Sequence, residues 1–151
     1  IWENGIYIKD KTKVYWGGTP VEGVDVETFE ELGEENLAKD KNHVYSGDSV
    51  LEKLDPALLK YIGGPYYLYK NNILYLGSAS LLGKKRKLET DIDGKNYVYM
   101  GDELIKDKKH VYYAGQRLKE VKPEELNTAD DARKLKKKII DGLLGIQKQR
   151  K

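Results

Sequence analysis

Asp40-Lys41-Asn42-His43-Val44-Tyr45 is the stretch on which the reading of this 151-residue chain turns. It returns at Asp10-Lys11-Thr12-Lys13-Val14-Tyr15 and at Asp107-Lys108-Lys109-His110-Val111-Tyr112. Two more divergent copies stand at Lys70-Asn71-Asn72-Ile73-Leu74-Tyr75 and Gly94-Lys95-Asn96-Tyr97-Val98-Tyr99. The first half is turn chemistry, because Asp and Asn bond nearby backbone and tolerate left-handed conformations. The second half, Val and Tyr, suits a pleated, half-buried surface. Extended runs such as Ile6-Tyr7-Ile8 and Tyr66-Tyr67-Leu68-Tyr69 precede the turns, so each copy predicts a β-hairpin.

A second turn often follows, at Gly17-Gly18, Ser46-Gly47-Asp48, Gly101-Asp102 and Ala114-Gly115, and then a short strand such as Thr19 to Val21 or Gln116 to Leu118. Next comes a helix-start signature. Asp25-Val26-Glu27-Thr28-Phe29 and Asp55-Pro56-Ala57-Leu58-Leu59 place Asp at an N-cap, and Pro56 at the first helical position needs no N–H. Leu32-Gly33 and Ile62-Gly63 read as helix ends with glycine just beyond them. Pro123-Glu124-Glu125-Leu126 is a third, reduced version. One unit is therefore a hairpin, a turn, a short strand and a helix of one to two turns. Tyr15, Tyr45 and Tyr75 are 30 residues apart, which marks an array whose units bury their apolar faces on one another. Tyr99 follows after 24 residues and Tyr112 after 13, too few for the helix, so these two are predicted on adjacent strands of one meander.

The combination of Ala38-Lys39-Asp40-Lys41-Asn42-His43-Val44-Tyr45 with Asp25 through Gly33 resembles the DKNYY family of bacterial repeat proteins. The resemblance runs from about residue 4 to 126. Unit three, Tyr66 to Gly83, departs from it by lacking the Asp-Pro helix, and unit four by the inserted basic run Lys84-Lys85-Arg86-Lys87. What the resemblance implies is an architecture and no particular activity. The expected fold is mainly β with short helices, a β-rich α+β stack of hairpin repeats of about 30 residues, closed by a C-terminal amphipathic helix. The expected division is a repeat domain over residues 1–126 and a basic helix or tail over 127–151.

The composition fits thin stacked layers. Charged residues make up 34% of the chain and hydrophobic residues 39%, with 12 tyrosines against one Phe and one Met, so a core must be built from Tyr, Val, Leu and Ile. A buried Tyr brings area and a hydroxyl that needs a partner. The absence of Cys excludes disulfides and thiolate metal sites. No apolar run approaches the ~20 residues that span a bilayer. The start at Ile1 is what a product relieved of a signal peptide or lipoprotein leader would show, and such repeat composition leans to a periplasmic, envelope or secreted setting. Charge is uneven: residues 133–151 hold eight Lys/Arg against Asp141, so +7 sits there and −5 on the body, for a total of +2. Thr128 and Asp131 form a capping-box pattern, and Ala132, Leu135, Ile139, Leu143 and Ile146 recur at helical spacing. The helix is expected to cap the array; contact with an anionic membrane is the alternative.

Catalytic motifs are missing: there is no Walker loop, no G-x-S-x-G, no H-E-x-x-H and no cysteine nucleophile. His43 and His110 share a repeat position that also holds Lys13, Ile73 and Tyr97, which reads as strand surface and not as a fixed base. Asp91-Ile92-Asp93-Gly94-Lys95-Asn96 hints at a calcium loop but is read as a hairpin turn, because the twelfth position is Asp102 and lies beyond a strand. No catalytic residue, metal site or cofactor is assigned. The candidate binding residues are aromatic: Trp2, Trp16, Tyr66, Tyr67, Tyr69 and Tyr113. Tyrosine faces serve recognition or repeat stacking, and stacking is the commoner use. The function expected is a non-enzymatic protein-interaction module, an envelope protein or an immunity-type inhibitor that meets a basic effector or toxin through its acidic body. Carbohydrate or cell-wall binding and a structural surface role are the alternatives. Nucleic acid is disfavoured by the acidic body.

Overall fold

A computed structural model describes residues 7–33, 36–77 and 89–142. Among the described residues, fifteen short strands fall into four antiparallel meanders, each built from consecutive strands. The first sheet holds β1 (Tyr7–Lys9), β2 (Val14–Trp16) and β3 (Thr19–Pro20). The second holds β4 (Glu30–Leu32), β5 (Leu37–Lys39), β6 (Val44–Ser46) and β7 (Ser49–Val50). The third is β8 (Leu59–Gly63), β9 (Tyr66–Tyr69), β10 (Asn72–Tyr75) and β11 (Glu89–Asp93). The fourth is β12 (Val98–Gly101), β13 (Leu104–Lys106), β14 (Val111–Tyr113) and β15 (Gln116–Arg117). One helix, α1 (Ala129–Ile140), comes after the last sheet. The protein is mainly β, as the repeat predicts.

The sheets stack face to face. Alternate residues of a strand point to opposite faces, and here each face meets a different neighbour. In β6, Tyr45 packs with Tyr7, Val14, Val21 and Ala38 between the first and second sheets. Val44, one residue earlier, packs with Leu37, Leu59, Tyr67 and Leu74 between the second and third. Tyr66, Ile73, Ile105 and Tyr112 fill the next interface. Leu104, Val111 and Leu118 meet Ala132, Leu135 and Ile139 of α1 in the last. A buried strand must therefore be apolar at consecutive positions, which is why Val-Tyr and Tyr-Tyr pairs recur. The helix caps the fourth sheet. Its N-terminus carries the capping box expected from Thr128 and Asp131, and Gly142 (φ 73°) lies just past its end. Leu143, Ile146 and the basic residues after them lie outside the described residues, as does the Lys84–Lys87 run.

Two expectations are corrected. The helix of one to two turns is a single turn only. Residues 26–28 form a turn and Pro56–Leu58 one turn of 3-10 helix, capped by Asp55 Oδ1 accepting from the Ala57 N–H at 2.9 Å. Beyond each turn the chain is strand. Leu32 pairs with Leu37 in β4–β5 and Leu59 with Tyr69 in β8–β9, so cross-strand pairing and burial of alternate side chains displace the helix. Gly33 (φ 68°) belongs to the β4–β5 turn, and Gly63 closes the irregularity in β8–β9. Secondly, Tyr99 and Tyr112 share a meander but not adjacent strands: β13 lies between, with Ile105 paired to both.

Candidate functional site

The Lys-Asp dipeptide that opens the repeat turn is the joint of the stack. Asp40 Oδ1 accepts the N–H groups of Asn42 (2.7 Å) and His43 (2.8 Å) and so shapes its own turn. Its Oδ2 reaches back to the Asp25 N–H (2.8 Å) and accepts the Tyr45 hydroxyl (2.8 Å). Asp107 repeats this with Lys109, His110 and, from the preceding turn, the Asp93 N–H at 2.8 Å. Both carboxylates are buried. Burial raises their pKa, but the N–H bonds outweigh it and hold both below the ordinary value. The preceding lysine points forward: Lys39 Nζ bonds Pro56 O (3.3 Å), and Lys106 Nζ bonds Pro123 O (2.9 Å) and Leu126 O. Carboxylate clasps one neighbour and ammonium the other. In the third sheet Lys70 replaces the aspartate, and Tyr69 takes over by accepting the Asp55 N–H at its hydroxyl (3.2 Å).

Most of the predicted binding aromatics are engaged in this stacking. Tyr66 and Tyr67 have no exposed surface. The Tyr66 hydroxyl donates to Glu103 O (2.9 Å) and accepts from the Gly115 N–H (3.1 Å); the Tyr67 hydroxyl donates to Leu32 O (2.8 Å). Rings so enclosed offer no platform to a ligand. Trp16 is half-buried beside Tyr7, centroids 4.6 Å apart, and lies so close to Gly47 that a Cβ there would stand 2.9 Å from the indole nitrogen. Gly63 likewise faces the Tyr99 ring, and Gly115 that of Tyr75. Trp2 lies outside the described residues. His43 and His110 sit one residue ahead of β6 and β14, and His110 Nδ1 lies 3.1 Å from Asp107 Oδ2. Asp93, in the calcium-like stretch, binds the Lys95 N–H and the Asn96 amide and makes an ordinary turn.

Tyr113, the last of the predicted residues, lines a cleft. Its walls are Gly64 and Pro65 from the β8–β9 turn, Tyr99, Asp102 and Glu103 from the β12–β13 hairpin, Tyr113 and the helix residue Lys136, and its volume is about 250 Å³. The hairpin turn is unusual. Asp102 (φ 49°) and Glu103 (φ 63°) both adopt the left-handed region, where the equivalent β8–β9 turn places Gly64 (φ 49°) and Pro65. Each non-glycine residue held there costs on the order of 1 kcal/mol. Three contacts fix the turn: the Tyr66 bond to Glu103 O, the Ala114 N–H to the same carbonyl (3.1 Å), and Lys136 Nζ on Asp102 Oδ1 (3.0 Å). That pairing raises the Lys136 pKa. Burial raises the Tyr99 hydroxyl, which stays neutral and able to hydrogen-bond. The Glu103 carboxylate lies 3.5 Å from the Tyr75 hydroxyl, at the edge of hydrogen-bonding range. The cleft thus joins aromatic walls to a carboxylate on a rigid turn. Sequence reading missed Tyr99, Asp102, Glu103 and Lys136 as a group; the one signal was an acidic pair where sister turns carry glycine.

Four stacked meanders with a terminal helix define a tandem-repeat β protein. The sequence model of the DKNYY family matches residues 7–140, through the capping helix, and the chain belongs to that family. No curated protein and no solved structure matches it. No helix among the described residues is long and apolar enough to cross a membrane.

Proposed function

We propose that this chain is a non-enzymatic protein-interaction module that receives a basic side chain of a partner protein in the Tyr99–Glu103–Tyr113 cleft. The observation that carries this reading is the turn Asp102-Glu103, kept in the left-handed region by two residues that bear a conformational penalty there. Strain of this kind gathers at recognition sites. A Lys or Arg stem would lie between the two tyrosine rings, with its charge at the Glu103 carboxylate. The acidic body, −5 over residues 1–132, would speed encounter with a basic effector, in the manner of an immunity-type inhibitor. Glycan binding is the weaker reading, since Tyr66 and Tyr67 are enclosed.

The test is quantitative retention. The immobilised full chain, Glu103→Gln and Tyr113→Ala are presented with the same cell extract, and the dissociation constant of any captured protein is measured. Each variant is expected to weaken capture about tenfold, about 1.4 kcal/mol, with far-UV circular dichroism unchanged. A partner held equally by all three chains would remove the cleft from the function.

A further inference from the structure

Among the described residues, one outer face of the stack is left uncovered. In the second sheet, Ala38, Tyr45 and Val50 lie side by side in one cross-strand row, and Ala38 and Tyr45 are buried under the first sheet. In the fourth, the row Ile105, Tyr112 and Arg117 occupies the same register, and its first two members are buried against the third. The first sheet carries the matching row, Ile8, Tyr15 and Pro20. Nothing among the described residues covers it, and Ile8 is 54% exposed.

The polar joint is also present and, among the described residues, unfilled. Asp10 Oδ1 accepts the N–H groups of Thr12 (2.7 Å) and Lys13 (2.8 Å), as Asp40 Oδ1 does with Asn42 and His43. On Asp40 and Asp107, Oδ2 then takes a backbone N–H from the preceding unit, that of Asp25 or Asp93. Among the described residues, Asp10 Oδ2 has only the Tyr15 hydroxyl, at 3.3 Å. An apolar row and a carboxylate oxygen are thus set out as at two completed junctions.

We infer that the outer face of the first sheet is a docking surface for one further unit of the same repeat, tethered ahead of Tyr7, whose turn would give a backbone N–H to Asp10 Oδ2. Size argues for the tether. A free partner is held by about 1,600 Å² of buried surface, and three short strands present far less; the equivalent internal junctions need no such area because their units are covalently joined. A second copy of the chain cannot add head to tail, since its opposite end is closed by α1.

The repeat period supplies the probe. Asp10 and Asp40 are 30 residues apart, so a second copy of residues 7–36 placed directly ahead of Tyr7 of the full chain continues the array in phase. Guanidinium unfolding of the parent and the extended chain is then compared, each with and without Ile8→Lys in the original first sheet. In the parent, Ile8→Lys is expected to change the folded-to-unfolded ratio less than threefold, because the side chain faces solvent. In the extended chain the same change is expected to lower it more than tenfold, and the unmodified extended chain is expected to unfold in one transition with a larger m-value. Equal effects of Ile8→Lys in both chains, or an extended chain whose added unit leaves the m-value unchanged, would overturn the inference. So would a parent dimer, seen by sedimentation, that Ile8→Lys dissolves, since the face would then belong to a second copy.

Discussion

At the scale of the residue, two kinds of side chain hold the layers in register. The first is the turn aspartate. Because the folded-state pKa of Asp40 and Asp107 lies below the unfolded value of about 3.9, their contribution is complete above that value and is lost as pH falls through the folded pKa. Asp25, held down to about 2 by Lys41 and Thr28, extends the window, so the chain is expected to lose stability between about pH 4 and pH 2. Asp40→Asn should lower the urea midpoint at pH 7 and flatten its acid dependence, so that variant and parent converge as acid protonates Asp40. A gap that stays constant with pH would mean that the Asp40 charge has no part in holding the junction. The second kind is the strapping tyrosine. Tyr66→Phe strips a hydroxyl that serves both Glu103 O and the Gly115 N–H. A loss of about 1–3 kcal/mol is expected, read as a fall in the denaturation midpoint with the m-value unchanged.

At the scale of the element, α1 behaves as a lid on the last sheet. Thr128 Oγ1 accepts the Asp131 N–H at 3.1 Å, and Thr128→Ala should cost about 1 kcal/mol. Leu135→Ala, in the apolar contact with the fourth sheet, should cost more, about 2–5 kcal/mol. Thermal scans that ranked the two in the opposite order would show that the cap, and not burial, holds the helix in place. Elements also show where sequence reasoning reaches and where it stops. The hairpins are legible because their determinants, Asp-Lys-Asn and Val-Tyr, are local. The capping helix is legible because its period continues over three turns. Strands β4 and β8 read as helix: Asp55 and Pro56 do begin a helical turn, but the partners of the next residues, Leu37 and Tyr69, lie beyond another turn. The cleft is invisible in the sequence for a related reason, since Pro65, Glu103 and Lys136 are far apart in the chain.

At the scale of the whole molecule, the layers form a line, and among the described residues each apolar cluster joins adjacent layers. Within a layer, several backbone bonds join adjacent strands; between layers there are apolar side chains, single tyrosine hydroxyls and, at two of the three junctions between sheets, one aspartate joint. That difference has a mechanical meaning. Pulled from its two ends in an optical trap, the chain should yield by peeling, one layer at a time, since a layer's cohesion outlasts its adhesion to the next. Each yield would release roughly 30 residues, about 100 Å of contour at ~3.4 Å per residue. A single rip of the whole length would show that the junctions are as strong as the layers. A saw-tooth record would make the protein an extensible tether, lengthening in fixed increments under load and closing again when the load is released.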